Sequence, residues 1–427
     1  MVNTMIDFIN KSPTAFSAIS NIKKILSEKN YVELFEEEEY KIEKGGKYFV
    51  SRNNTSIIAF NVGKKLERPS LQICASHSDC PSFKLKPNPI IKTKNGIKLN
   101  VEIYGEALLR PWFDRPLSIA GRIIINNNGK VEPKEFVDDE PFCILASMAP
   151  HLSKDIEKNE LKPEVDLLPI VSLKDDFDFN EYLSSKINID KNSILGFDLY
   201  LYPFEKGYVW GNNEFITSNH IDNLECAFAT LMGFVDNFND ENINVYACFD
   251  NEEVGSLTRQ GAYSDFLVSN IQRLSLSLDI EFEQLRSRGI MLSCDNAHGL
   301  HPNHEDLYDK ENAPVLNGGV VIKYNANQSY TTDSLSGSLF KKLLDDNNIP
   351  YQLFANKTGT RGGSTLGNLS NNQISLISID VGLAQWAMHS PIETCGYKDV
   401  EYMVNAVKCF YKAHFSINKQ KYSLGNI

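Results

Sequence analysis

The stretch Asn244-Val-Tyr-Ala-Cys-Phe249, running straight into Asp250-Asn-Glu-Glu-Val-Gly255, decides the fold. A short apolar run closed by polar residues and a glycine reads as a buried strand ending in a turn. Comparable runs occur at 56–62, 71–76, 291–294, 319–323 and 374–379. Between and around them, helical spacing of apolar residues covers 222–238, 334–347 and 400–415. Strands alternating with helices predict an α/β domain with a mixed or parallel central sheet, flanked by helices on both faces.

Outward from this core the texture changes twice. The first 30 residues read as two helices, with Ser12-Pro13-Thr14 supplying the break and a new N-cap. From about 84 to about 210, prolines at 87, 89, 111, 116, 133 and 141 punctuate strand candidates at 90–93, 98–104 and 121–126. Asn127-Asn128-Gly129 reads as a hairpin turn, and a helix is expected over 141–156. This block is β-rich and poor in chemistry. The expected organisation is an α/β domain at 1–84 and 211–427, interrupted by an inserted β-rich domain at 85–210.

Composition bounds the function. The chain has 427 residues, 42% hydrophobic and 23% charged, which is ordinary for a globular protein. Its net charge of −12 offers no basic stripe, so no nucleic-acid partner is expected. No segment is long and apolar enough for a membrane span, and no leader is visible, so a cytoplasmic location is the expectation. The eight cysteines are scattered without a CxxC pair, which fits free thiols in a reducing compartment.

Potential metal ligands sit at the ends of the strand candidates: His77-Ser-Asp79, His220-Ile-Asp222, Asp250-Asn-Glu252-Glu253, Asp295 and His389. The donors are nitrogen and oxygen without sulfur, which suits zinc, manganese or cobalt in a catalytic site. Each has a blander reading when taken alone. Glu252-Glu253 would be a solvated surface pair, Asp222 a helix N-cap, and His389 a satisfied core histidine. The chemical readings are sharper. Adjacent glutamates at a strand end point opposite ways if the strand geometry persists, so one can bind metal while the other handles protons. In His77-Ser-Asp79 the carboxylate can fix the imidazole tautomer. Asp222 can bridge two ions about 3.5–4 Å apart. His298, His301 and His304 crowd into seven residues, but as loop histidines they fit substrate contact as well as ligation.

The order of these motifs resembles the M18 family of metallo-aminopeptidases, the aspartyl aminopeptidase type. The matching pieces are His77-Ser-Asp-Cys-Pro81, Trp112-Phe-Asp-Arg115, Asp222-Asn-Leu224, Asp250-Asn-Glu-Glu-Val-Gly255, Ser293-Cys-Asp-Asn-Ala-His298, His301-Pro-Asn303, Gly362-Gly-Ser-Thr-Leu-Gly367 and Ala387-Met-His-Ser390. The resemblance implies two divalent ions per subunit, zinc first and cobalt or manganese as alternatives. It implies His77, Asp222 and Asp295 on one ion, and Asp222, Glu253 and His389 on the other. Glu252 would be the general base, and Asp79 would orient His77. His151 would reach the active site of a neighbouring subunit and stabilise the oxyanion. Lys323 and His298 would face the substrate. The family also implies peptide substrates, a dimerising inserted domain and a homo-oligomer, typically a tetrahedral dodecamer.

The sequence departs from the family pattern at Ser17-Ala18, where a histidine often stands, and at His220, where an arginine is usual. The preference for the N-terminal residue, acidic or neutral, stays open. An acidic preference needs a cation, and Lys323 and Arg361 are the candidates. The competing readings are a two-metal deacylase and a non-catalytic scaffold on a peptidase fold.

Overall fold

A nine-stranded mixed sheet organises the molecule, a computed structural model that describes residues 1–152, 161–360 and 362–425. Its order is Val32–Leu34, Lys47–Arg52, Ser56–Val62, Asn242–Phe249, Ser70–His77, Gly289–Cys294, Ile377–Gly382, Val320–Tyr324 and Tyr351–Ala355. The four middle strands, from Asn242–Phe249 to Ile377–Gly382, are mutually parallel. Their apolar residues feed both faces in alternation. Cys74, Tyr246, Cys248 and Leu292 pack under the helices Ile221–Phe234 and Asp399–Lys412. Ile73, Ala75, Val245, Ala247 and Met291 pack under Phe266–Ser277 and Leu366–Ile374. Parallel strands covered on both faces have to be apolar on both, which is why 244–249 is an unbroken run rather than an alternation.

A second, six-stranded antiparallel sheet is built within residues 82–203, in the order Lys130–Val137, Leu117–Asn127, Ile194–Pro203, Ser82–Thr93, Gly96–Tyr104 and Ile170–Ser172. It has its own core around Phe83, Trp112, Phe136 and Leu199. Asn127 pairs with Lys130 across a two-residue turn. Asn128 and Gly129 both take positive φ there, which matches the twist of the strands they join. A five-stranded sheet joins Tyr208–Trp210, Phe215–Ser218, Glu393–Gly396, Ala384–Trp386 and Ala297–His298.

The helix expected over 141–156 does not form in the described part of that segment. Residues 141–145 lie extended instead. Cys143 bridges Leu117 and Ile144 bridges Ile170, while Phe142, Cys143 and Leu145 fill the second core. Sheet-edge hydrogen bonds and burial outweigh the weak helical spacing here. Residues 153–156 lie outside the described residues. Thr14 caps the helix Ala15–Glu28 through a reciprocal arrangement with Ser17, as the N-terminal break predicts.

Candidate metal centre

Parallel strands leave a crevice beyond their carboxyl ends, the usual place for a site in an open α/β sheet. His77 ends the strand Ser70–His77 and is in register with Phe249, so the Asp250–Gly255 loop begins beside it. Asp295 follows Gly289–Cys294. Asp222 opens the helix Ile221–Phe234, and His389 follows Ala384–Trp386.

These five segments converge. His77 Nε2 lies 3.6 Å from Asp222 Oδ1 and 3.5 Å from Asp295 Oδ1. His389 Nε2 lies 3.6 Å from Asp222 Oδ2 and 3.6 Å from Glu253 Oε2. Donor atoms of His77, Asp222 and Glu253 all fall within 4.8 Å of one another. Glu252 Oε2 is 3.9 Å from His77 Nε2. His77, Asp79, Asp222 and Asp295 are buried, whereas His389 is 26% exposed and opens the cluster to a cavity of about 700 Å³.

Both imidazoles present Nε2 to the carboxylates because Nδ1 is engaged elsewhere. His77 Nδ1 is 3.0 Å from the main-chain oxygen of Asp79 and 3.5 Å from its carboxylate. His389 Nδ1 is 3.1 Å from the main-chain oxygen of Glu106. A carbonyl oxygen only accepts, so each Nδ1 carries the proton and each Nε2 offers its lone pair.

Asp79 has a second duty. Its carboxylate accepts the N–H groups of Glu252 (3.1 Å) and Glu253 (3.2 Å) and the hydroxyl of Tyr104 (2.7 Å). The two glutamates therefore do not diverge by strand alternation. The strand ends at Phe249, Asn251 takes a left-handed conformation, and Glu252–Val254 forms a single 3-10 turn. Their separation comes from that turn.

The Asp222 carboxylate does not cap the helix. Its own Oδ1 has no hydrogen-bond partner, and its N–H is donated to Glu393. Asp250, the first residue of the same acidic stretch, is not in the cluster and lines a separate cavity of about 290 Å³.

The electrostatics are those of acids packed without enough positive charge. Burial, then the neighbouring Asp295, raises Asp222 to about 6. Burial raises Glu252 to about 8 against the pull of His77, and pushes Glu253 well above the carboxylate range. Asp295 goes the other way, to about 2: burial alone would raise it, but the Lys323 ammonium and His77 outweigh burial. Buried carboxylates that repel one another, with Asp222 Oδ1 and Glu253 Oε1 lacking any donor, are what a divalent cation would neutralise. The set of two imidazoles and several carboxylates fits such ions chemically.

Lys323 is buried, and its ammonium donates to the main-chain oxygens of Asp295 (2.9 Å) and Asn296 (3.2 Å), 5.1 Å from the Tyr330 ring. His298 lines the cavity. His301 and His304 lie outside it, with rings 4.9 Å apart. His151 is exposed in a turn and does not line the cavity of its own chain. Arg361 lies outside the described residues.

Four contributors escaped the sequence reading. They are Glu393, Tyr104, the main chain of Glu106, and Gly382, whose strand passes against the Asp295 backbone. None belongs to a ligand motif. Only the burial of a lone Glu beside a strand would have drawn attention to Glu393.

A family model described as "Aminopeptidase I zinc metalloprotease (M18)" matches residues 8–411. The chain belongs to the M18 family of metallo-aminopeptidases. As an M18 aminopeptidase it is a metal-dependent hydrolase and an exopeptidase. It is 41% identical to the "Probable M18 family aminopeptidase 2" of Clostridium novyi (strain NT) over 423 residues, covering 96% of this chain and 98% of that one. It is similar to the protein in the "Cryo-EM structure of the Ape4 and Nbr1 complex", with TM-score 0.92, 32% identity, and coverage of 96% of this chain and 84% of that chain. It is also similar to the "S. cerevesiae mApe1 dodecamer", with TM-score 0.85, 26% identity and 96% of each chain covered. These similarities run through both the nine-stranded sheet and the six-stranded one. Among the described residues of this M18 aminopeptidase, no helix is long and apolar enough to cross a membrane.

Proposed function

We propose that this M18 aminopeptidase releases one residue from the N-terminus of peptides with two divalent ions, zinc first and cobalt or manganese as alternatives. His77, Asp222 and Asp295 hold one ion, and Asp222, Glu253 and His389 hold the other. The observation that carries this reading is the carboxylate of Asp222: one oxygen faces His77 Nε2 and the other faces His389 Nε2, each at 3.6 Å. A carboxylate set between two histidines in this way is suited to bridging.

Bound there, the ions supply Lewis-acid activation of a water and of the scissile carbonyl. The chain's own groups do the rest. Glu252 accepts a proton from the attacking water and later gives it to the nitrogen of the departing peptide. Asp79 holds the Glu252-Glu253 turn by its N–H groups, so Glu252 faces the cavity while Glu253 faces His389. Carboxylates of the cluster receive the free α-ammonium of the substrate, which makes the enzyme an exopeptidase rather than an endopeptidase. Leu257, Tyr330, Phe354 and Met388 give the cavity an apolar wall beside Lys323 and His298, which face the side chain of the residue removed.

The same reading extends to the assembly. The inserted β-rich domain, residues 85–210, serves as a dimerisation domain. Subunits associate as a homo-oligomer, as the dodecameric neighbour does. His151 then enters a neighbouring subunit's site and stabilises the oxyanion. The location proposed is the cytoplasm.

The test is a screen of short peptides and aminoacyl nitroanilides with every N-terminal residue, against N-acyl amino acids, with zinc, cobalt and manganese added in turn. Turnover of free N-termini alone is expected. Preferential cleavage of N-acyl amino acids would overturn the assignment in favour of a deacylase.

A further inference from the structure

We infer that Glu393 is a positioning residue that locks the backbones bearing Asp222 and His389 into one unit. The inference rests on the reading that Asp222, Glu253 and His389 hold an ion together.

Glu393 is 2% exposed and begins the strand Glu393–Gly396. That strand lies between two others in the five-stranded sheet. On one side, Phe215–Ser218 leads into Asp222, with Ser218 paired to Glu393 itself. On the other, Ala384–Trp386 leads into His389, with Trp386 paired to Thr394. The side chain then spans both exits. Oε2 accepts the N–H of Asp222 at 3.0 Å, and Oε1 accepts the N–H of His389 at 2.8 Å. One carboxylate therefore fixes the start of the Asp222 turn relative to the His389 turn, two segments 167 residues apart in sequence (389 − 222).

Asp79 does the same for the backbones of Glu252 and Glu253. Glu393 does not line the cavity of about 700 Å³, and its oxygens are engaged by the N–H groups of Asp222 and His389, so it acts through the backbones it holds. No other side chain among the described residues joins those two backbones.

Only a carboxylate of this length suits the task. It offers two oxygens, each able to accept an N–H. An amide in the same volume offers one oxygen and turns an NH2 toward a second donor. Aspartate is one methylene short of reaching both. Either change frees the two backbones to drift by a fraction of an ångström, which is enough to loosen an ion whose ligands they carry.

The experiment is a zinc titration of the metal-stripped full chain against a chromophoric chelator, for wild type, Glu393→Gln, Glu393→Asp, His389→Ala and Asp295→Asn. Wild type is expected to bind two ions. Glu393→Gln should weaken the site that includes His389 about 10–100-fold, the usual cost of losing a group that orients a ligand, and the other site, which shares only Asp222 with it, by a smaller factor. The site weakened more should be the one that His389→Ala removes, and the loss should add to that of Asp295→Asn. Glu393→Asp should move the same site in the same direction. Equal weakening of both sites, or no change, overturns the inference. So does a chain that fails to fold with either replacement even at saturating zinc, since Glu393 would then be a folding element. A wild type that binds fewer than two ions, or a His389→Ala variant with unchanged affinities, would sink the ligand reading itself and is distinct from these outcomes.

Discussion

Glu252→Gln exchanges one carboxylate oxygen for an NH2 group and leaves the volume of the side chain in place. The backbone N–H of residue 252 still reaches Asp79, and the neighbouring Glu253 still faces His389. The variant should therefore keep its metal and its fold but lose the proton acceptor. General-base catalysis contributes about 10²–10⁴-fold, so kcat should fall by about that factor with KM nearly unchanged. Steady-state kinetics with metal content measured on the same sample checks this, and full activity would remove Glu252 from the mechanism. At this scale the sequence singled out His77, Asp222, Glu253, Asp295 and His389, and the structure brings their side chains together. The sequence was silent on Glu393, whose neighbours Ser-Pro-Ile and Thr-Cys form no motif. Asp250 stands in the same loop as Glu252 yet faces another cavity, which the loop's sequence does not tell.

Elements bring these residues within reach of one another, and the tightest place in that arrangement is Gly382. A Cβ there would lie 1.8 Å from the main-chain oxygen of Asp295, the oxygen that receives the Lys323 ammonium. Gly382→Ala has to push the end of Ile377–Gly382 away from Asp295. Overpacking of this kind costs about 1–3 kcal/mol, and here the displaced backbone carries Asp295, a proposed ligand. The expected result is a lower melting temperature together with weaker metal retention after dialysis. An alanine variant that melts and binds as wild type would mean the strands have slack at that point.

The central strands were legible because burial on both faces leaves an unbroken apolar run. The Glu252–Val254 turn was not, because a single 3-10 turn after a strand has no periodicity to read. The extended segment 141–145 was not legible either. Its residues find their partners in Leu117 and Ile170, far away in sequence, and local spacing cannot report that.

For the whole molecule, the separation of His151 from the cavity of its own chain makes a prediction about assembly. If a neighbouring subunit donates it, His151→Ala should lower kcat by about 10²–10³-fold, the usual loss for an oxyanion donor. Mixing His151→Ala chains with Glu252→Gln chains, then dissociating and reassociating them, should restore part of the activity. Such mixed assemblies contain sites with an intact Glu252 and a donated His151. Absence of recovery after demonstrated subunit exchange would assign the residue no such role.

The similarity to solved structures over 96% of the chain covers both large sheets, so the assembly and the site are to be tested on the intact protein. The central claim is that Asp222 stands between two ions. Anomalous diffraction at the zinc edge, on crystals grown with zinc, tests it most directly. The account predicts two peaks per chain about 3.5–4 Å apart, one beside His77 and Asp295 and one beside His389 and Glu253, with Asp222 touching both. A single peak, or two peaks of which only one contacts Asp222, would contradict it.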